Sequence, residues 1–199
     1  MANGSAVREA TQEHIMPPRR AYTREDFEAA ALPHLDDLYR TARRILQEGA
    51  AAEDVVQDAY LQAWKSFHRF QLGTDCRAWL FTILFNEIRH YRRKWRDRWV
   101  DVDPEEQLEQ NLAYTPPIPE EVRDEDVLNA LDAIPMEFRS VVLLADVQEF
   151  SYREIAKILN VPIGTVMSRL SRGRHLLRAS LRELAKSYGI KKANEVLSA

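Results

Sequence analysis

Apolar positions along this chain recur at helical spacing in one segment after another, and strict alternation of the strand type is nearly absent. The clearest segment lies between residues 150 and 174. Tyr152, Ile155, Ala156 and Leu159 fall at i, i+3, i+4 and i+7, one stripe of a helix that Ser151 is placed to cap. Asn160 tolerates the left-handed conformation that ends a helix, and Pro162 suits the first turn of the next. In that next helix Val166, Leu170, Gly173 and Leu177 recur at i, i+4, i+7 and i+11 and must point inward. Thr165, Ser168, Arg169 and Arg172 form the opposite stripe. Two helices around a tight turn, the second presenting hydroxyls and guanidiniums without an acid, make a helix-turn-helix. Such a face can read base edges and hold phosphates.

The same reading extends upstream. Thr23-Arg24-Glu25-Asp26 caps a helix whose stripe is Leu35, Leu38, Tyr39, Ala42, Ile45 and Leu46, with Gly49 as its stop. A helix over about 51–67 buries Val56, Ala59, Tyr60, Ala63, Trp64 and Phe67. Its other face carries Glu53, Asp54, Gln57 and Asp58 around a lone apolar Leu61. Residues 70–76 form a loop punctuated by Gly73 and Asp75. Arg77-Ala78-Trp79-Leu80 then opens a long helix with Leu84, Ile88, Tyr91 and Trp95 on one side and Arg89, Arg92, Arg93 and Arg96 on the other. A second apolar set begins with Val127, Leu128, Leu131 and Ile134, breaks at Pro135, and resumes with Phe138 and Val141 to Leu144. The expected fold is all-α with two small helical domains, 23–99 and 126–187. A flexible arm (1–22), an acidic linker (100–125) and a basic tail (188–199) complete the chain.

Charge changes the picture once it is located. The formal net charge of −3 argues against a nucleic-acid binder only as an average. From residue 151 to 192 ten Lys/Arg face only Glu154 and Glu183, including Arg174, Arg178 and Arg182 beyond the outer stripe. Residues 101–126 reverse this, with ten acids, the single base Arg123 and four prolines, a composition that resists folding and stiffens a tether. One cysteine, Cys76, excludes an internal disulfide, fits a reducing cytoplasm and reads as an inert thiol. The five histidines are scattered without metal-ligand spacing, and no phosphate loop or nucleophile elbow occurs. No apolar run reaches the roughly 20 residues of a membrane span. Nothing points to an enzyme, a metal or a cofactor.

Two stretches together carry a family likeness. Ser151-Tyr152-Arg153-Glu154-Ile155-Ala156 followed by Val161-Pro162-Ile163-Gly164-Thr165-Val166-Met167-Ser168-Arg169-Leu170 resembles the sigma-four domain of extracytoplasmic function (ECF) sigma factors, in the bacterial sigma-70 family. The segment 53–64 and the pattern Arg77-Ala78-Trp79-Leu80…Asn86, His90, Arg93 resemble its sigma-two domain. The resemblance implies that the second helix of the helix-turn-helix reads a −35 promoter element through Thr165, Ser168, Arg169, Ser171, Arg172, Arg174 and Arg178. It implies that Arg77, Trp79, Asn86, Arg89, Arg92, Arg93 and Arg96 hold the melted −10 strand, with the loop 70–76 taking a flipped base. Glu53, Asp54, Gln57, Asp58 and Leu61 would dock on the β′ clamp helices of core RNA polymerase, with the β flap and an anti-sigma factor as further partners. Two departures stand out: Met167 occupies a position where the family commonly has Lys or Arg, and His90 one where it often has Asp.

Three readings follow from the residues. The chain is a sigma factor; or it is a stand-alone operator-binding regulator with an N-terminal sensor or dimerisation domain; or its basic faces bind an acidic partner. Basic helical faces in two separate domains favour the first, since an operator binder needs only one.

Overall fold

The computed structural model describes residues 23–71, 74–96 and 124–187. The expected arm, the linker up to residue 123 and the tail lie outside the described residues, as do the side chains of Trp95 and Arg96. Every regular element among the described residues is helical.

Thr23 starts α1 (Arg24–Ala31) with a reciprocal cap: its hydroxyl accepts from the Asp26 amide at 3.2 Å, and the Asp26 carboxylate accepts from the Thr23 amide at 3.0 Å. The expected single helix is interrupted. Pro33 lies in a 3-10 turn (Leu32–His34), because proline lacks the amide an α-helix interior requires, and α2 (Leu35–Leu46) follows. Gly49 is not the stop. Gln47 takes the left-handed conformation (φ 59°) and closes α2 with its amide on the Arg43 carbonyl, and Gly49 is the first residue of α3 (Gly49–Ser66). After a 3-10 turn (Phe67–Arg69) the long α4 (Cys76–Arg96) begins.

The second set comprises α5 (Asp124–Asp132), α6 (Met136–Val142), a wide π turn (Leu143–Val147), α7 (Tyr152–Leu159) and α8 (Ile163–Ser187). Ser151 caps α7 as expected, its hydroxyl accepting from Glu154 N and the Glu154 carboxylate accepting from Ser151 N at 2.8 Å. Asn160 sits at φ 54° and ends α7. Val166 and Leu170 are buried, and α8 passes so close to α6 at Gly173 that a Cβ there would stand 2.6 Å from Val142 Cγ2 and 3.1 Å from the Phe138 carbonyl. Glycine is required here by contact rather than by backbone freedom.

The expected inward faces err in three places, the first being Leu35, which is exposed at the start of α2. Trp64 is 45% exposed: its indole meets Phe27 edge to face (5.2 Å), and the rest of it is open at the surface. Tyr152, placed in the α7 stripe, is exposed, and Ile158 is buried in its stead. The periodicity of a two-turn helix cannot separate stripe edges only about 120° apart.

The two helical sets do not stand apart. Leu38, Ala42, Val56, Leu80, Phe81, Leu84 and Ile88 of the first lobe join Phe138, Val141, Leu144, Phe150, Ile155 and Ile158 of the second in one continuous buried cluster. The Phe81 and Phe150 rings meet edge to face at 5.0 Å across the seam. Such a pair adds about 0.5–1.5 kcal/mol beyond the area it buries.

Candidate nucleic-acid interface

On α8 the outer face stays open. Ser168, Ser171, Arg172 and Arg178 are exposed, Thr165 and Arg169 half-buried, and the Ser168 hydroxyl donates to the Thr165 carbonyl at 3.1 Å. Arg174 differs. It forks onto Asp146 in the π turn (Nε–Oδ2 3.1 Å, Nη2–Oδ1 2.5 Å), and that hydrogen bond raises its pKa. A guanidinium so held is a positioning group for the helix rather than a free phosphate ligand.

The basic side of α4 is placed otherwise: much of it faces the second lobe. Arg77 donates from Nη1 to the Gln148 carbonyl at 2.8 Å and from Nη2 to the Gln148 side-chain oxygen, with its guanidinium 4.5 Å over the Phe150 ring and 5.4 Å over Phe81. Gln148 is buried and passes the network on, its amide donating to Thr41 Oγ1 at 3.2 Å. The π turn makes this possible. Its widened closure, Gln148 N to Leu143 O at 2.9 Å, swings Gln148 and Phe150 toward α4. Arg89 donates to the Leu159 carbonyl at 2.9 Å, where α7 leaves carbonyls unused, and to the Asn86 side chain; burial lowers its pKa. Arg92 Nη1 approaches the Met136 sulfur at 2.9 Å, while Arg93 is exposed. Trp79 lies half-buried against Phe70 (ring centroids 4.9 Å) beside the 70–75 loop.

A second clasp forms at the end of α5. Asp132 accepts from Arg44 at 2.8 Å through its carboxylate and from Gln47 at 2.5 Å through its carbonyl. Arg139, buried behind it, also reaches that carbonyl at 3.1 Å, and desolvation lowers its pKa. Asp132, Gln148 and Phe150 are interlobe residues that sequence reasoning missed. Their partners lie 69 to 107 positions away, and no local pattern names them.

The acidic face of α3 is free of this seam. Glu53, Asp54, Gln57, Asp58 and Leu61 are all exposed, and Trp64 extends the apolar centre begun by Leu61.

Comparison with known proteins agrees with this arrangement. Residues 31–98 match the Sigma-70 region 2 family model and residues 124–177 the Sigma-70 region 4 model. The chain is 33% identical over 181 residues to the ECF RNA polymerase sigma factor SigE of Mycolicibacterium smegmatis, covering 88% of this chain and 66% of that one. It is 31% identical to SigW of Bacillus subtilis, covering 75% of this chain and 85% of that one. Among solved structures, the sigma factor RpoE, in its complex with the anti-sigma factor NepR from Bartonella quintana, matches with a TM-score of 0.64 at 31% identity over 79% of this chain and 98% of that one. This chain belongs to the ECF RNA polymerase sigma factors of the sigma-70 family. The operator-regulator reading is set aside accordingly.

Proposed function

We propose that this chain binds core RNA polymerase in the cytoplasm, directs it to specific promoters and helps melt the −10 region, acting by binding rather than by catalysis. The observation that carries it is the pairing of an exposed, acid-free α8 face with a separate arginine-bearing α4 face in a family member. Thr165, Ser168, Arg169, Ser171 and Arg172 contact the −35 duplex, with Arg178 on phosphate. Arg77, Trp79, Asn86, Arg89, Arg92, Arg93 and Arg96 serve the −10 strand. Glu53, Asp54, Gln57, Asp58, Leu61 and Trp64 form an acidic rim around an apolar centre suited to the basic β′ clamp helices. The β flap and an anti-sigma factor are the further partners, the latter supported by the NepR complex of the similar RpoE.

The closed arrangement of the lobes cannot be the promoter-bound one. Elements at −35 and −10 lie about 25 base pairs apart, roughly 85 Å of duplex at 3.4 Å per step. A compact chain of this length has a radius of gyration of about 16 Å. The 27 residues between α4 and α5 can extend to roughly 90 Å, enough to bridge the two sites once the seam opens. Opening also frees Arg77, Arg89 and Arg92.

Run-off transcription with added core polymerase tests the function: promoter-specific transcripts are expected, and their absence would reject it. Charge reversal of Asp54 and Asp58 to lysine should abolish holoenzyme formation while leaving the fold intact. A folded double variant that still assembles at normal affinity returns that face to mere solvation.

A further inference from the structure

Beyond the serines and arginines, two apolar side chains mark the start of α8. Ile163 and Met167 stand one turn apart, 43% and 51% exposed. Scattered exposed apolar residues are ordinary, but these two share the first turns of the recognition helix, the part that meets base edges in this motif. Ser168 is adjacent and Ser171 one turn on, both exposed. With Arg178 drawing the face toward phosphate and Arg172 reaching a base edge, the surface that covers Met167 in use is a major groove. A thioether offers a groove almost nothing polar, since its sulfur is a poor acceptor and it has no donor. What it matches is the one apolar group on the floor of a major groove, the C5-methyl of thymine. Its three rotatable bonds let it settle on that methyl without displacing the neighbouring arginines.

We infer that Met167, backed by Ile163, is a specificity-determining residue that selects thymine within the −35 element through its methyl group. The inference rests on the promoter-reading function above.

The test uses the full chain reconstituted with core polymerase. A duplex library randomised across the −35 region is selected for binding, and each thymine of the selected sequence is then replaced in turn by deoxyuridine, which removes the methyl and nothing else. One thymine, or two adjacent ones, should lose about four-fold in affinity on replacement, the worth of one buried methyl at about 0.8 kcal/mol. Met167→Ala should abolish that sensitivity while keeping the preferences set by the arginines, and Met167→Leu should retain it. If no thymine responds to deoxyuridine, or if the response persists unchanged in Met167→Ala, the inference is overturned. If no sequence is selected at all, the promoter-reading function fails first and takes the inference with it.

Discussion

Replacing Gln148 with leucine should loosen the seam between the lobes without substituting any residue assigned to DNA or polymerase. The side chain is buried, accepts from the Arg77 guanidinium and donates to Thr41 Oγ1, itself only 1% exposed. Leucine keeps the volume but removes both bonds. Losing an acceptor for a charged group costs about 1.5–3 kcal/mol, and a neutral bond about 1 kcal/mol. Arg77 is partly open to water, which recovers some of the first term, whereas Thr41 has no such recourse. The net is about 3 kcal/mol, a rise of about 100-fold in the ratio of open to closed chain. Energy transfer between dyes at Gln62→Cys and Lys157→Cys, in a Cys76→Ser background, reads the separation directly. A single-stranded −10 oligonucleotide reads it through function. If only the open chain releases Arg77 from Gln148 and Arg89 from the Leu159 carbonyl, apparent affinity scales with the open fraction and should improve by about 100-fold while that fraction remains small. Transfer efficiency and strand affinity both equal to the parent's would refute the claim that this polar contact holds the lobes together.

Three further outcomes are expected. Gly173→Ala should cost about 1–3 kcal/mol of stability, measured by denaturant unfolding, because its Cβ meets Val142 and a backbone carbonyl that cannot yield; an unchanged midpoint would mean α6 and α8 are not in such contact. Arg172→Ala should cost about 1–3 kcal/mol at the preferred −35 site and relax preference at one base pair, whereas Arg178→Ala should weaken all sequences alike, both read by competition binding. The Cys76 thiol is pushed up to about 11, by burial first and by Asp75 second, from an ordinary value of 9.0. Only the thiolate reacts, so at pH 8 its alkylation should run about 100-fold slower in the folded chain than in urea, the gap narrowing as pH rises toward 11; equal rates in both states would show that burial does not protect it.

What the amino-acid sequence determined by itself is local or summed over short windows. Ser151 and Glu154 cap α7, Asn160 turns it, and Val166 and Leu170 orient α8, because caps, left-handed turns and helical stripes depend on residues a few positions apart. The acid-free outer face of α8 and the acidic face of α3 were legible for the same reason. The interruption at Pro33 was equally local, and the proline was there to be read. The tertiary structure decided the rest. Trp64 became surface because Phe27 meets its indole edge to face and leaves the rest open, and a π turn that no periodicity announces aims Gln148 and Phe150 at α4. Arg77 and Arg89 carry the same charge as Arg93. They differ in having the Gln148 and Leu159 carbonyls within reach, 71 and 70 positions along the chain. A guanidinium's partner is set by which unpaired carbonyl the fold brings within hydrogen-bond distance, and the pattern of one helix holds no record of that.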